Sequence, residues 1–399
     1  MRPFENIRVL DLTHVFAGPF CTYQLAVMGA DVIKIESPFE PDMMRCEGAI
    51  SETNDSLLGT HFMSQNAGKR SLTLNLQDES GKNIFKRLVL GADVLVQNFC
   101  GDAIERLGLG SDDLAKVNPG LIFCSITGFG LTGPKANHPA YDTVIQAFSG
   151  LMSANGTKKT QPVRVGPAVV DYGTGVQAAM AICAALYQRE KTGRGQNIDV
   201  SMLDAALMLM CSTTTDALAT GQAPRVQGNA HPFYAGYATY PTAEGLLMVG
   251  AWTNRQLSQL FRAFNEHERA DEIERTPRRL IGKYFKTDTA TIGQYLLRKT
   301  ADEWEAILNE LQIPAARVRT IDEAINHPQI ISRQVIQSIG HSDNTVTPGD
   351  LPVAAFMYSH GSPEVRMPPP RHGQHTDEIL DELGVSKKEI EKFRQTGVV

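Results

Sequence analysis

The sequence predicts an α/β fold, with a large domain built on a parallel sheet and a smaller α+β domain. Three observations predict it. Four short runs rich in β-branched residues, IRVLDLT (7–13), DVIKIE (31–36), DVLVQNF (93–99) and LIFCSIT (121–127), alternate with segments of helical period such as GKNIFKRLVLGA (81–92). Such alternation joins parallel strands through crossover helices. The 399 residues suffice for two or three domains, and the texture changes near Gly228.

Taken in order, the first run opens the sheet within a few residues of Met1, and the next three extend it. A long helix is expected near 172–190, because VQAAMAICAALY is apolar yet too short to span a bilayer and is followed by Arg189. The turn KTGRGQ leads to a further strand, NIDVSM, and a further helix, DAALMLMCSTTTDALA. From Gly228, HPFYAGYATYPTAEGLLMVGAW is aromatic, turn-rich and short-stranded, and helical segments carrying Arg and Glu follow. The tail runs through MPPPRHGQH into TDEILDELGVSKKEIEKFRQTGVV, two short amphipathic helices with a glycine stop between them.

Composition narrows the function. Lys plus Arg number 38 against 44 Asp plus Glu, a net charge of −6, so no basic field exists to hold a nucleic-acid backbone. Cys21, Cys46, Cys100, Cys124, Cys183 and Cys211 lie far apart without a C-x-x-C pair, as expected of free thiols in a reducing cytoplasm and not of a metal site. No charged leader followed by a long apolar stretch is visible, so a cytoplasmic protein without membrane partners is expected.

Gly128, Gly130 and Gly133 spell G-x-G-x-x-G after an apparent strand. A dinucleotide turn must open a helix there, with an acidic residue about 20 positions on at the end of a second strand. Instead Pro134 and KANHP follow, which describes an irregular loop. No complete phosphate loop, G-x-S-x-G elbow or H-E-x-x-H is found either.

The segments VLDLTHVFAGPF, GADVIKIE, NAGKRSLTLNL, DVLVQNF, AIERLGL, SITGFGLTGP, PAYDTVIQAFSGLM, VVDYGTG, KTGRGQNIDVSMLDA and PPPRHGQHTDEIL occur in this order from residue 9 to about 380. Together they resemble the family III CoA-transferases, the group of formyl-CoA, carnitine-CoA and succinate/glutarate CoA-transferases. The resemblance implies a Rossmann-like large domain from 1–200 and 335–399, a linker helix at 201–227, and a small domain with a return linker at 228–334. It also implies an interlocked homodimer, and CoA thioesters as substrates with no permanently bound cofactor or metal.

The family's nucleophile, an aspartate, matches Asp171 in VVDYGTG. A strand-like approach delivers it to the start of a long helix, where backbone N–H groups favour negative charge, and Gly173 and Gly175 leave that turn bare. A carboxylate there can attack an acyl-CoA to give an aspartyl anhydride and then an aspartyl-CoA thioester. An aspartate at such a position is also a good helix cap, the competing structural reading, whereas Asp11, inside a strand, is better explained by local hydrogen bonding.

By the same resemblance His14, Val15 and Ala17 lie beside the thioester, and Lys69, Arg70, Asn98, Phe99, Arg106 and Tyr141 contact CoA. Phe16, Gly130, Gly250 and Trp252 are expected around the acyl or acid pocket, and HPFYAGY nearby. Phe16 replaces the glutamine of formyl-CoA transferases, and Pro139 a lysine. Trp252 interrupts a glycine run, so a covering loop here should be stiff. Succinyl-CoA with a small dicarboxylate is the expected substrate pair, with Arg225 or Arg255 pairing a second carboxylate. Two alternatives stand beside this reading: an alpha-methylacyl-CoA racemase, disfavoured because Tyr141 stands where racemases carry a histidine, and a non-catalytic CoA-binding protein.

Overall fold

A computed structural model describes residues 1–224, 226–339 and 349–399. They divide into two units, one of Met1–Met152, Arg164–Ala223 and Ile331–Val399, the other of Ser153–Val163 and Pro224–Ile330. The division differs from the expected boundaries, and the main segment of the second unit runs Pro224–Ile330 where 228–334 was expected. The helices Met202–Leu209 and Cys211–Thr220 belong to the first unit instead of forming a linker, and Ser153–Val163 belongs to the second.

The first unit is built on six parallel strands: β1 (Arg8–Leu12), β2 (Asp31–Glu36), β3 (Arg70–Thr73), β4 (Val94–Gln97), β5 (Ile122–Thr127) and β6 (Gln196–Ser201). Their order is β3-β2-β1-β4-β5-β6. Val9 of β1 lies opposite Val32 on one side and Val94 on the other, so the order reverses between β1 and β4. Such a reversal opens a crevice at the carboxyl ends of the two strands.

Successive residues of a strand face opposite sides, and both sides are covered. Leu10, Leu12, Ile33 and Ile35 pack with Phe85 and Leu88 of the helix Glu79–Leu90 and with Ile379 and Leu380 of the tail. Val9, Val32, Val94 and Val96 pack with Cys21 and Leu25 of the first helix, Ala17–Val27, and with Ala178 and Ile182 of the long helix, Val169–Thr192. The tail forms the two expected helices, Thr376–Glu382 and Lys387–Gln395, with Gly384 between them at φ +75°. A short pair, β10 (Ile336–Ser338) and β11 (Asp350–Pro352), completes this unit.

The long helix has 24 residues, twice the apolar run that marks it, and by length and composition alone could cross a membrane. It lies instead in the first unit, burying Val170, Thr174, Ala178 and Ile182 along one stripe. Gly173 and Gly175 are not bare. A Cβ on Gly173 would meet Leu209 Cδ1 at 2.7 Å, and one on Gly175 would meet Ala17 O at 2.7 Å and Cys21 N at 3.2 Å. Both glycines serve helix packing, which corrects the expectation that they leave this turn bare. Gly175→Ala should cost about 1–3 kcal/mol by pushing two helix backbones apart, measurable as a lower denaturation midpoint with an unchanged slope.

In the second unit β7 (Tyr237–Pro241), β8 (Leu246–Gly250) and β9 (Ala315–Arg317) form an antiparallel sheet. Leu247 and Val249 face a core that includes Leu260, Phe261, Ile292 and Trp304. Gly250 ends β8, and Thr253 caps the next helix in a reciprocal capping box with Gln256.

Candidate functional site

The crevice between β1 and β4 is closed by a reciprocal pair of hydrogen bonds. His14 N donates to Asn98 Oδ1 at 3.0 Å, and Asn98 Nδ2 donates to His14 O at 2.8 Å. The next residue, Val15, has φ 70°, a region a β-branched side chain rarely enters. It is held there from both sides: its N donates to Asp42 Oδ1 at 3.2 Å, and its O accepts from Gln65 Nε2 at 2.8 Å. Backbone strain of this kind persists only where the surroundings over-determine it.

Beneath this loop lie three fully buried ion pairs: Lys34–Asp42 at 3.1 Å, Arg45–Glu36 at 2.6 Å and Lys69–Asp11 at 2.9 Å. Lys34 Nζ also donates to Thr13 O at 2.7 Å, which ties the pairs to the loop. Burial alone would raise the Asp11 carboxyl, but the Lys69 and Lys34 ammonium groups outweigh it and hold it well below the usual range. Glu36 is likewise desolvated, yet Arg45 and Lys34 bring it down to about 2.

Asp171 lies in the first turn of the long helix and is 7 % exposed. It is not the helix cap. That role falls to Asp142, first residue of the helix Asp142–Ser149, whose Oδ2 accepts from Val170 N at 2.7 Å and Asp171 N at 3.1 Å. Gln146 fixes Asp142 in turn, donating from Nε2 to its Oδ1 at 2.6 Å and accepting Val165 N at 2.8 Å. With its capping work done by a neighbour, the Asp171 carboxyl accepts no hydrogen bond from any described residue. Desolvation first, and the Asp142 charge second, push it up to about 7.

Two cavities meet at this carboxyl. One of about 300 Å³ is walled by His14, Asn98, Phe99 and Gly128; the other, of about 500 Å³, by His61, Arg164, Pro167 and Tyr172. Val15, Phe16, Tyr141 and Asp171 line both. A third cavity of about 240 Å³ shares His14 and Phe99 with the first and extends past Glu36, Asn75 and Gln77. Burial also lowers the pKa of His14, with Lys34 adding to the effect, and so favours its neutral form.

Of the residues singled out from sequence, Asp171, His14, Val15, Phe16, Ala17, Asn98, Phe99 and Tyr141 therefore line the cavities that meet there. The basic residues are placed otherwise. Lys69 is fully buried and donates to Asp11, Pro19 O, Thr22 and Asn66, so its ammonium cannot serve a phosphate. Arg70 is bound to Asp31, Glu378 and Glu382 and is likewise committed to the fold. Arg106 is exposed, pairs with Asp102 and lines none of the three cavities.

Gly130, at φ +86°, lies against Asp199 and Ser201 away from both cavities, and Gly128 takes the wall position instead. The loop after β5 opens no helix, since the next one begins only at Asp142. Gly250, Trp252 and Arg255 belong to the second unit. There Trp252 packs edge-on against His231 and Tyr237 and lies beneath the Arg278 guanidinium at 4.7 Å. Arg225 falls outside the described residues. Sequence reasoning missed Asp142, Gln146, His61 and Arg164. Only Asp142 left a signal, as the acid next to Tyr141 at a helix start.

The model of CoA-transferase family III matches residues 4–376 of the chain. Succinyl-CoA:glutarate CoA-transferase of Mus musculus is 33% identical over 400 residues, covering 100% of this chain and 91% of that protein. Succinate–glutarate CoA-transferase of Agrobacterium fabrum is 33% identical over 384 residues, covering 96% of each. A crystal structure of a CAIB/BAIF family protein from Brucella suis superposes with a TM-score of 0.83 at 30% identity, over 96% of this chain and 99% of that one.

Proposed function

The chain belongs to CoA-transferase family III, and on that premise we propose that it moves CoA from succinyl-CoA to a small dicarboxylic acid through Asp171. One observation carries the reading: a desolvated carboxyl, without a hydrogen bond from any described residue, at the junction of two cavities. The third and first cavities take the nucleotide and the pantetheine arm, and the second takes the acyl group. Both relatives above are named for succinyl or succinate and glutarate, which supports the substrate pair.

Asp171 attacks the thioester carbon, the C–S bond breaks, and the CoA thiolate leaves an acyl-aspartyl anhydride. The thiolate then attacks the aspartyl carbonyl, expelling succinate and leaving an aspartyl-CoA thioester. The incoming carboxylate repeats both steps in reverse order and departs as its CoA ester, returning Asp171 to a carboxylate. The first helix begins at Phe16–Ala17 on the cavity wall with no side chain of the described residues capping it, and its amide end favours the oxyanions formed on the way.

The proposal extends to a homodimer. The long helix exposes Val176, Met180 and Tyr187 on the side away from its buried stripe, an apolar surface of the kind that partner chains cover.

Incubation with succinyl-CoA and glutarate tests the function, with product thioesters separated by chromatography. Glutaryl-CoA should form as succinyl-CoA disappears; hydrolysis alone, or no reaction with any acid acceptor, contradicts the reading. Because only the ionised carboxylate attacks, kcat/KM should rise with pH through about 7. Asp142→Asn keeps an oxygen for the two backbone N–H groups but removes the neighbouring negative charge. The inflection should then move to lower pH, and one that stays put would show that Asp142 does not set the ionisation of Asp171.

A further inference from the structure

We propose that Arg164, sharing the second cavity with His61 and Asp171, receives the distal carboxylate of a dicarboxylic acyl group. The inference rests on the reading of this site as a transferase for such acids, and it assigns the residue that selects them.

The cavity already carries two carboxyl groups, Asp171 and Asp142, so a substrate with a free carboxylate enters against like charge. A cation on the wall must offset that repulsion if diacids are to bind. Arg164 is the cation available there. It has no carboxylate partner among the described residues, and its one recorded hydrogen bond is a long contact from Nη1 to Gly166 O at 3.4 Å. By contrast, Arg45, Arg70, Arg189 and Arg269 are each pinned to an acid.

The backbone beside Arg164 is nonetheless fixed. Val165 N donates to Gln146 Oε1 at 2.8 Å, and Gln146 also holds Asp142. The side chain is thus free to meet a ligand while its base is tied to the network that caps the nucleophile's helix. A guanidinium presents paired donors that match a planar carboxylate, which a lysine cannot do in two parallel bonds. His61 packs edge-on against Phe16 at 5.7 Å and supplies a second polar group on the same wall. Neither the first nor the third cavity is lined by a lysine or arginine among the described residues, so this selectivity belongs to the acyl side.

The test compares succinyl-CoA with butyryl-CoA, which has the same carbon count and a methyl in place of the carboxylate. The readout is the ratio of their kcat/KM values, which cancels any general loss of folded enzyme. Wild type should favour succinyl-CoA. Arg164→Gln should lower the ratio about 10- to 100-fold, the range expected for losing a charge-assisted hydrogen bond, and Arg164→Lys should fall between the two. An unchanged ratio in Arg164→Gln, with wild type still favouring succinyl-CoA, would overturn the role of Arg164 and leave the dicarboxylate reading standing. If wild type transfers CoA but shows no preference for succinyl-CoA, the dicarboxylate reading fails and this inference fails with it.

Discussion

Replacing Asp171 by alanine should lower turnover about 10⁴-fold or more, because the nucleophile of a covalent route has no substitute in the site. The fold should tolerate the change. The cap of the long helix is supplied by Asp142 through Val170 N and Asp171 N, both backbone donors that alanine retains. The side chain removed accepts no hydrogen bond from any described residue and is held in an environment that raises its pKa, so its loss relieves a desolvation cost. Steady-state rates of CoA transfer, read beside thermal unfolding, check both halves. A variant that keeps a tenth of wild-type turnover would mean that another group does the chemistry.

The largest stability effect should come from Asp11→Ala. Asp11 is fully buried and accepts from Thr13 N at 2.9 Å, Thr13 Oγ1 at 2.5 Å, Thr22 Oγ1 at 2.7 Å and Lys69 Nζ at 2.9 Å. Its removal leaves the Lys69 ammonium in the interior without a counter-charge, a loss of about 3–5 kcal/mol. Replacing the pair together, Asp11→Leu with Lys69→Met, should recover part of that loss, since no unpaired charge then remains. The pH dependence has a definite sign. The Asp11 carboxyl is held below its unfolded value, so its contribution is present above the ordinary carboxylate range and is lost as pH falls below it. Wild type and Asp11→Ala should therefore converge in stability toward acid, as measured by denaturant unfolding at several pH values. The same carboxylate fixes Thr13, so the variant should also loosen the strained Val15 loop at the cavities.

Much of the fold is legible in the sequence because β1, β2, β4 and β5 are rich in apolar β-branched residues and β6 follows a clear turn. DVIKIE coincides with β2, and the runs for β1, β4, β5 and β6 fall within a residue or two of the observed ends. β3 does not stand out, since RSLT is short and polar, and its strand character comes from pairing with β2 and from buried partners. The same local blindness misplaces Lys69 and Arg70. A lysine beside an arginine reads as solvated charge or a phosphate contact, whereas their acids lie 58 residues upstream for Lys69 and 39 upstream and about 310 downstream for Arg70.

At the site, the helix start around Asp171 is visible locally, but which of two aspartates caps it is not. Asp142 and Asp171 are 29 residues apart, and only tertiary contact assigns the cap to one and frees the other. The resemblance to a family points to Asp171; the geometry adds a desolvated carboxyl, pushed up to about 7, on the wall of two cavities. Arg164 lies in a loop with no pattern of its own and becomes informative only once the cavity is seen.

The central claim is that Asp171 carries the transferred group covalently, and intact mass tests it most directly. The protein is exposed briefly to succinyl-CoA without acceptor, quenched, weighed and mapped by peptide digestion, with Asp171→Ala alongside. The expected result is a mass increase matching a succinyl or CoA group on the peptide containing Asp171, absent in the variant. No adduct from succinyl-CoA or other acyl-CoAs under conditions of measurable transfer, or the same adduct in Asp171→Ala, would contradict the account.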